Sequence, residues 1–159
     1  MKKWIIGILA LVLGLVFVAF VAFQLLPNEY DVMKENWGID LPKASEVQSL
    51  ITSEVSFNGD GERFTKYLYD ATVDLGQSGL KRIAPSEVEE VNDHIQYFVE
   101  RTLEVRQQNR DIEKIFNEHV SKAVAGDLYY YESRNSNYDT ILLLYKQQEH
   151  ILYVYEWHQ

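Results

Sequence analysis

Asn58, Asp60 and Glu62 alternate oxygen-bearing side chains in the manner that opens a calcium-binding loop. An EF-hand needs glycine at its sixth place and glutamate at its twelfth, where this chain has Arg63 and Tyr69. The pattern fails, and a hairpin turn is the better reading. The four histidines, His94, His119, His150 and His158, include no pair at the four-residue spacing of a helical zinc site and no His-Glu-x-x-His. Glu156 and His158 share one face of a C-terminal strand and have the right types for a metal or an acid–base pair. Two residues apart on a strand, they read instead as a solvated pair. Gly76-Gln77-Ser78-Gly79-Leu80 misses the nucleophile elbow Gly-x-Ser-x-Gly, because Leu80 stands where the second glycine belongs. No catalytic residue, metal ligand or cofactor is assigned on this basis.

The aromatic residues are weighed differently. Seven of the eleven tyrosines lie from Tyr129 onward, which makes the C-terminal region the place for an aromatic surface. Tyr129, Tyr130 and Tyr131 are consecutive, so on a strand at least one ring points away from the core. Tyr153 and Tyr155 share a strand face with Trp157. Such rings give large contact area with a polar tip, suited to a protein or a glycan, although tyrosine is also a good strand former that packs under helices. Tyr129, Tyr131, Tyr153, Tyr155 and Trp157 are the candidate binding residues.

The C-terminal elements that carry these rings read as a β meander. Leu128 to Arg134, Thr140 to Lys146 and Ile151 to Trp157 are rich in Tyr, Leu, Ile and Val, with polar turns between them. Before them, Pro85-Ser86-Glu87-Val88-Glu89 reads as a capping box that starts a helix. Apolar residues then recur at Val88, Val91, Ile95, Phe98 and Leu103, a helical stripe. A polar run from Arg106 to Arg110 interrupts it. A second stripe follows at Ile112, Ile115, Phe116, Val120, Ala123 and Val124, ended by Gly126, so the region is one bent helix or two. Ser45 and Gln48 suggest another capping box, for a short helix from Glu46 to about Ser53. Val55-Ser56-Phe57 and Glu62 to Tyr69 flank Asn58-Gly59-Asp60-Gly61 as a hairpin, with Phe64 and Leu68 facing opposite to Tyr67 and Tyr69. The expected fold is α+β, a mostly antiparallel sheet of about five strands with helices packed on one face.

The amino-terminal region is of another kind. From Trp4 to Leu26 the chain runs without a charged side chain, directly after Met1-Lys2-Lys3. A helix over those residues rises about 35 Å, enough to cross a hydrocarbon core of about 30 Å. Two lysines before it, with Glu29 and Asp31 after it, place the amino terminus in the cytoplasm and the rest of the chain outside. The rival reading is a cleaved secretory signal. Its apolar region would be shorter, and the candidate sites ending at Ala19 and Ala22 carry Phe17 and Phe20 where a small residue is wanted. The expected organisation is therefore a cytoplasmic segment 1–3, a transmembrane signal-anchor helix 4–26, a tether 27–43 and an exported domain 44–159. In the tether, Trp37, Ile39 and Leu41 alternate as an extended piece would.

Removing the two lysine charges from the chain's net −9 leaves −11 on the exported part, which argues against nucleic acid as a partner. With no cysteine, no disulfide supports the fold. Ile39-x-Leu41-Pro42 followed by Phe57-x-Gly59-Asp60-Gly61 ahead of a strand resembles small membrane-anchored or secreted proteins of Gram-positive bacteria, over about residues 37 to 69. That resemblance implies an exported domain and no known activity. The partners expected are the lipid bilayer, through residues 4–26, and an envelope or extracellular protein. The alternative is an envelope hydrolase with a site assembled from distant carboxylate and histidine residues.

Overall fold

The computed structural model describes Gly14 and residues 28–53, 61–134 and 139–158. The span expected over 4–26 lies outside the described residues apart from Gly14, as do Val55–Phe57 and most of the Asn58–Gly61 turn. Among the described residues no helix is long and apolar enough to cross a membrane. The chain divides into two compact units, Met1–Gly38 and Ile39–Gln159.

In the first unit, α1 spans Glu29–Trp37. Asn28 starts it: its Oδ1 accepts from the Tyr30 and Asp31 amides at 2.9 and 3.1 Å, while the Asp31 carboxylate accepts from the Asn28 amide at 3.2 Å. Three backbone donors are thereby satisfied, those of Asn28 and Asp31 reciprocally. Gly38 ends the helix at φ 71°, a left-handed conformation that glycine takes without a Cβ penalty. The tether is therefore helical through Trp37, which belongs to that helix and not to an extended run. Ile39 and Leu41 are buried, as their alternation suggests.

The second unit is mixed α+β, built on one antiparallel sheet of six strands. They are β1 (Glu46–Thr52), β2 (Gly61–Leu68), β3 (Lys81–Arg82), β4 (Leu128–Arg134), β5 (Asp139–Lys146) and β6 (Ile151–His158), in the order β1-β2-β6-β5-β4-β3. Two helices, α2 (Val88–Val105) and α3 (Arg110–His119), join β3 to β4. Their buried residues Val91, Ile95, Phe98 and Phe116 form one core with Phe64, Leu142, Leu144, Tyr153 and Tyr155, all of which share one sheet face by register. Phe64 is at the centre, stacked on Tyr155 at 4.6 Å between ring centroids and 5.9 Å from Phe116. Phe64 and Leu68 do face opposite to Tyr67, as the strand pattern requires. On the opposite face Ile141, Leu143, Leu152 and Val154 are also fully buried, so these central strands are covered on both sides.

Three local expectations change, and one open alternative is decided. Residues 46–52 are a strand: Ser45 donates its Oγ to the Leu68 carbonyl at 2.8 Å and begins the β1–β2 ladder instead of capping a helix. Ser86 does not cap α2. The Glu87 carboxylate reaches back to the Ala84 amide at 2.8 Å and takes the Tyr129 hydroxyl at 3.0 Å. The helical region is two helices, because Gln107 and Gln108 adopt φ values of 53° and 57° that no helix continues through. Asn109 then caps α3, its side chain accepting from Asp111 and Ile112. Finally, the second stripe stops being helical at His119, and Val120 is extended. Ala123 is buried nonetheless, because Asn92 bonds both its amide and its carbonyl, at 2.9 and 3.1 Å. Val124 is exposed.

Candidate binding cleft

Helix α2 crosses the strands β4, β5 and β6, and one flank of it meets them through polar–aromatic pairs. Glu87 holds the Tyr129 hydroxyl. His94 stacks flat on Tyr131, at 3.8 Å between centroids and 14° between planes. The Arg101 guanidinium lies 4.1 Å from the centroid of the Trp157 ring. Glu87, the residue before the helix, and His94 and Arg101 within it are seven apart, about two turns each, so they recur on one edge of the apolar stripe that buries Val91, Ile95 and Phe98. Past Arg101, Arg106 pairs with the buried Glu62 of β2 and ties the C-terminal end of the helix to the sheet.

Between the His94–Tyr131 and Arg101–Trp157 stacks lies a narrow notch of about 20 Å³, floored by Phe98, Leu142 and Tyr155. His94 and Tyr131 also wall a wider hollow of about 140 Å³ that runs on to Lys81, Glu90 and Tyr129. The two hollows share the His94–Tyr131 stack as a common wall and together are the candidate cleft. Tyr97, 53% exposed, stands at its lip with Arg101 5.9 Å from its ring. Trp157 is 3% exposed, and its Nε1–H has no hydrogen-bond acceptor among the described residues. A buried donor without an acceptor is costly and rare. Trp157 lines the notch, and the Nε1 atom itself is buried.

The electrostatics at the other end are set by hydrogen bonds. The Ala84 amide and then the Tyr129 hydroxyl hold the Glu87 carboxyl below its usual range. Burial, followed by the Glu87 bond, raises the Tyr129 phenol above its ordinary value. Burial also pushes the Tyr155 hydroxyl well up, so the floor of the notch is neutral. The cleft is lined by Lys81 and Arg101 against Glu90, with Glu87 bonded beside it, and carries no strong excess of either sign.

Of the candidate residues read from the sequence, the structure brings Tyr129, Tyr131, Tyr155 and Trp157 to this cleft. Tyr129 and Tyr131 are half-buried in its wall. Tyr155, 1% exposed, is floor, and Tyr153 packs against Phe64 in the core. The sheet face shared by Tyr153, Tyr155 and Trp157 is therefore interior, because β6 is a central strand and α2 and α3 lie over it. The residues missed are His94, Tyr97 and Arg101. Their seven-residue spacing from Glu87, in the case of His94 and Arg101, is visible in the sequence but acquires meaning only beside β4 and β6.

Two other groupings come together elsewhere. His158 lies 3.7 Å from Asp139 through Nδ1 and 3.7 Å from Glu156 through Nε2. A cavity of about 280 Å³ at the far end of the sheet is lined by Arg82, Asp127 and Lys146. There the buried Lys146 ammonium donates to Asp127 at 2.5 Å and to the Lys122 carbonyl at 2.9 Å, while Arg82 donates to the Gly126 carbonyl at 3.1 Å. These bonds pin residues 122–127 to the sheet, a structural task. Ser78 is buried in a turn, its amide bonded to the Leu75 carbonyl. Among the described residues no group of three His, Asp or Glu side chains is arranged to hold a metal ion. Compared with protein-family models, curated proteins and solved structures, the chain has no match.

Proposed function

We propose that this protein is a single-pass membrane protein whose extracytoplasmic domain binds an envelope or extracellular protein through the cleft between α2 and β4. The uncharged run Trp4–Leu26 behind Lys2 and Lys3 supports the anchor and its orientation. The observation that carries the binding reading is the cleft itself. It combines aromatic walls, a half-exposed Tyr97, a stacked arginine and a buried indole N–H lacking an acceptor, the residue types that dominate protein-binding surfaces. The hydrolase alternative rests on His158 between Asp139 and Glu156. Both separations are 3.7 Å, longer than a hydrogen bond, so no acid–base pair is assembled there, and the binding reading is preferred.

Photo-cross-linking tests the reading. A photoreactive phenylalanine analogue in place of Tyr97, in intact cells, is expected to give one discrete protein adduct. The same analogue at the exposed Val124, outside the cleft, is expected to give none. Equal labelling from both positions, or no adduct from position 97, overturns it.

A further inference from the structure

The cavity at the far end of the sheet is lined by charges that the fold itself does not pair. It measures about 280 Å³ and shares no lining residue with the cleft between α2 and β4. Its wall is pre-set by hydrogen bonds. The Gly126 amide donates to the Ile83 carbonyl at 3.0 Å, the Ile83 amide donates to the Asp127 carbonyl at 2.8 Å, and the Lys146 ammonium joins the Asp127 carboxylate to the Lys122 carbonyl. Asp127 and Lys146 thus neutralise each other. Two more charged residues line the same cavity, Arg82 and Glu149, and neither forms an ion pair with another of the described residues.

Arg82 is held in place without being neutralised. Its Nη1 donates to the Gly126 carbonyl at 3.1 Å and to the Gln147 side-chain oxygen at 3.2 Å, both uncharged acceptors on the cavity wall. A guanidinium carries five N–H donors in a rigid planar fork, so those on Nε and Nη2 are left for a ligand. A carboxylate matches that fork with two parallel bonds. Glu149, exposed in the turn after β5, supplies acceptor oxygens and a negative charge. An anion alone would meet Arg82 and be repelled by Glu149, and a cation alone the reverse. A molecule that carries both charges satisfies both residues. Val124, 51% exposed, and Ala125 add an apolar stretch of wall. The volume lies just under the roughly 300 Å³ at which pockets for drug-sized ligands begin, which sets the ligand at the size of a single amino acid. We infer that this cavity binds a free amino acid with a small aliphatic side chain. Its carboxylate lies on Nε and Nη2 of Arg82, its ammonium on Glu149, and its side chain against Val124 and Ala125.

The test uses the full-length chain in detergent micelles and isothermal titration calorimetry with L-valine. Saturable binding at one site is expected, at least tenfold weaker in Arg82→Gln and in Glu149→Gln and unchanged in Tyr97→Ala, which lies in the other cleft. Arg82 and Glu149 are exposed, so their variants should keep the fold, and thermal melts check this. On the parent chain, N-acetyl-L-valine, which lacks the ammonium, and L-valinamide, which lacks the carboxylate, should each bind at least tenfold more weakly than L-valine. Inorganic phosphate should not bind. These analogues carry the test unaided if either variant melts below the parent. Failure of L-valine to bind, equal binding by a folded Arg82 or Glu149 variant, or equal binding of N-acetyl-L-valine, L-valinamide or phosphate overturns the inference.

Discussion

Phe116→Ala probes the helix–sheet core at its most informative point. Phe116 is the buried residue of α3, 4% exposed, with its ring 5.9 Å from Phe64 and 6.1 Å from Phe98 at 85°. Truncating a fully buried phenylalanine costs about 3–5 kcal/mol through lost transfer energy and the cavity left behind. Each well-placed ring pair is worth about 0.5–1.5 kcal/mol beyond area, which puts this site in the upper part of that range. For a unit of this size each kcal/mol lowers the melting temperature by about 3–5 °C, so the variant should melt about 12–25 °C below the parent. Thermal melts by far-ultraviolet circular dichroism, with urea titrations at a fixed temperature, read both numbers. Val124→Ala is the internal control. Val124 continues the same sequence stripe but is 51% exposed, so its variant should stay within about 0.5 kcal/mol. A Phe116 variant within about 1 kcal/mol of the parent, or equal losses at the two positions, would refute the placement of α3 on the sheet.

Other perturbations address the joints of the fold. Asn92→Ala strips both bonds from the buried Ala123 backbone and should cost about 2–4 kcal/mol, read by urea titration; Asn92→Asp, which sets a carboxylate oxygen against the Ala123 and Val88 carbonyls, should recover none of it. Gln107→Gly relieves a left-handed residue at φ 53° and should raise stability by up to about 1 kcal/mol after the entropy glycine adds to the unfolded chain; a clear loss would show the turn is held by the side chain. Tyr130 is pushed up to about 12 by burial and by its bond to Glu132. A folded value above the unfolded value of about 10 means that its contribution is complete below pH 10 and is lost as pH rises from about 10 to about 12. Tyr130→Phe should therefore flatten the alkaline limb of stability against pH in that window, and an unchanged limb would contradict the assignment.

The legible parts of this fold were those where one periodicity dominates locally. The three C-terminal strands, the stripe of α2 and the opposite facing of Phe64 and Tyr67 each follow from side-chain spacing alone. Residues 46–52 misled because Ser45 and Gln48 carry a helix signal, whereas β1 exists by pairing with β2 across a turn. The Val120–Val124 run misled because Ala123 is buried through Asn92, a contact thirty-one residues away that a helical stripe mimics by chance. β3 is two residues long and owes its existence to β4, which no local pattern encodes. The tyrosines marked strands that wall the candidate cleft, yet strand pattern could not say that Tyr153 and Tyr155 are roofed by helices. Nor could it say that His94 and Arg101 would come down on Tyr131 and Trp157, since those pairings join residues 37 and 56 positions apart.

The Ile39–Gln159 unit is proposed to lie outside the cell on an uncleaved amino-terminal span. Protease added to intact protoplasts, with the products followed by mass spectrometry, tests it most directly. The expected result is digestion of the domain with survival of a membrane-protected fragment containing Lys2, Lys3 and the residues through about Leu26. Full protection of the domain, or a mature chain beginning at Phe20 or Phe23 and released from the membrane, would contradict it.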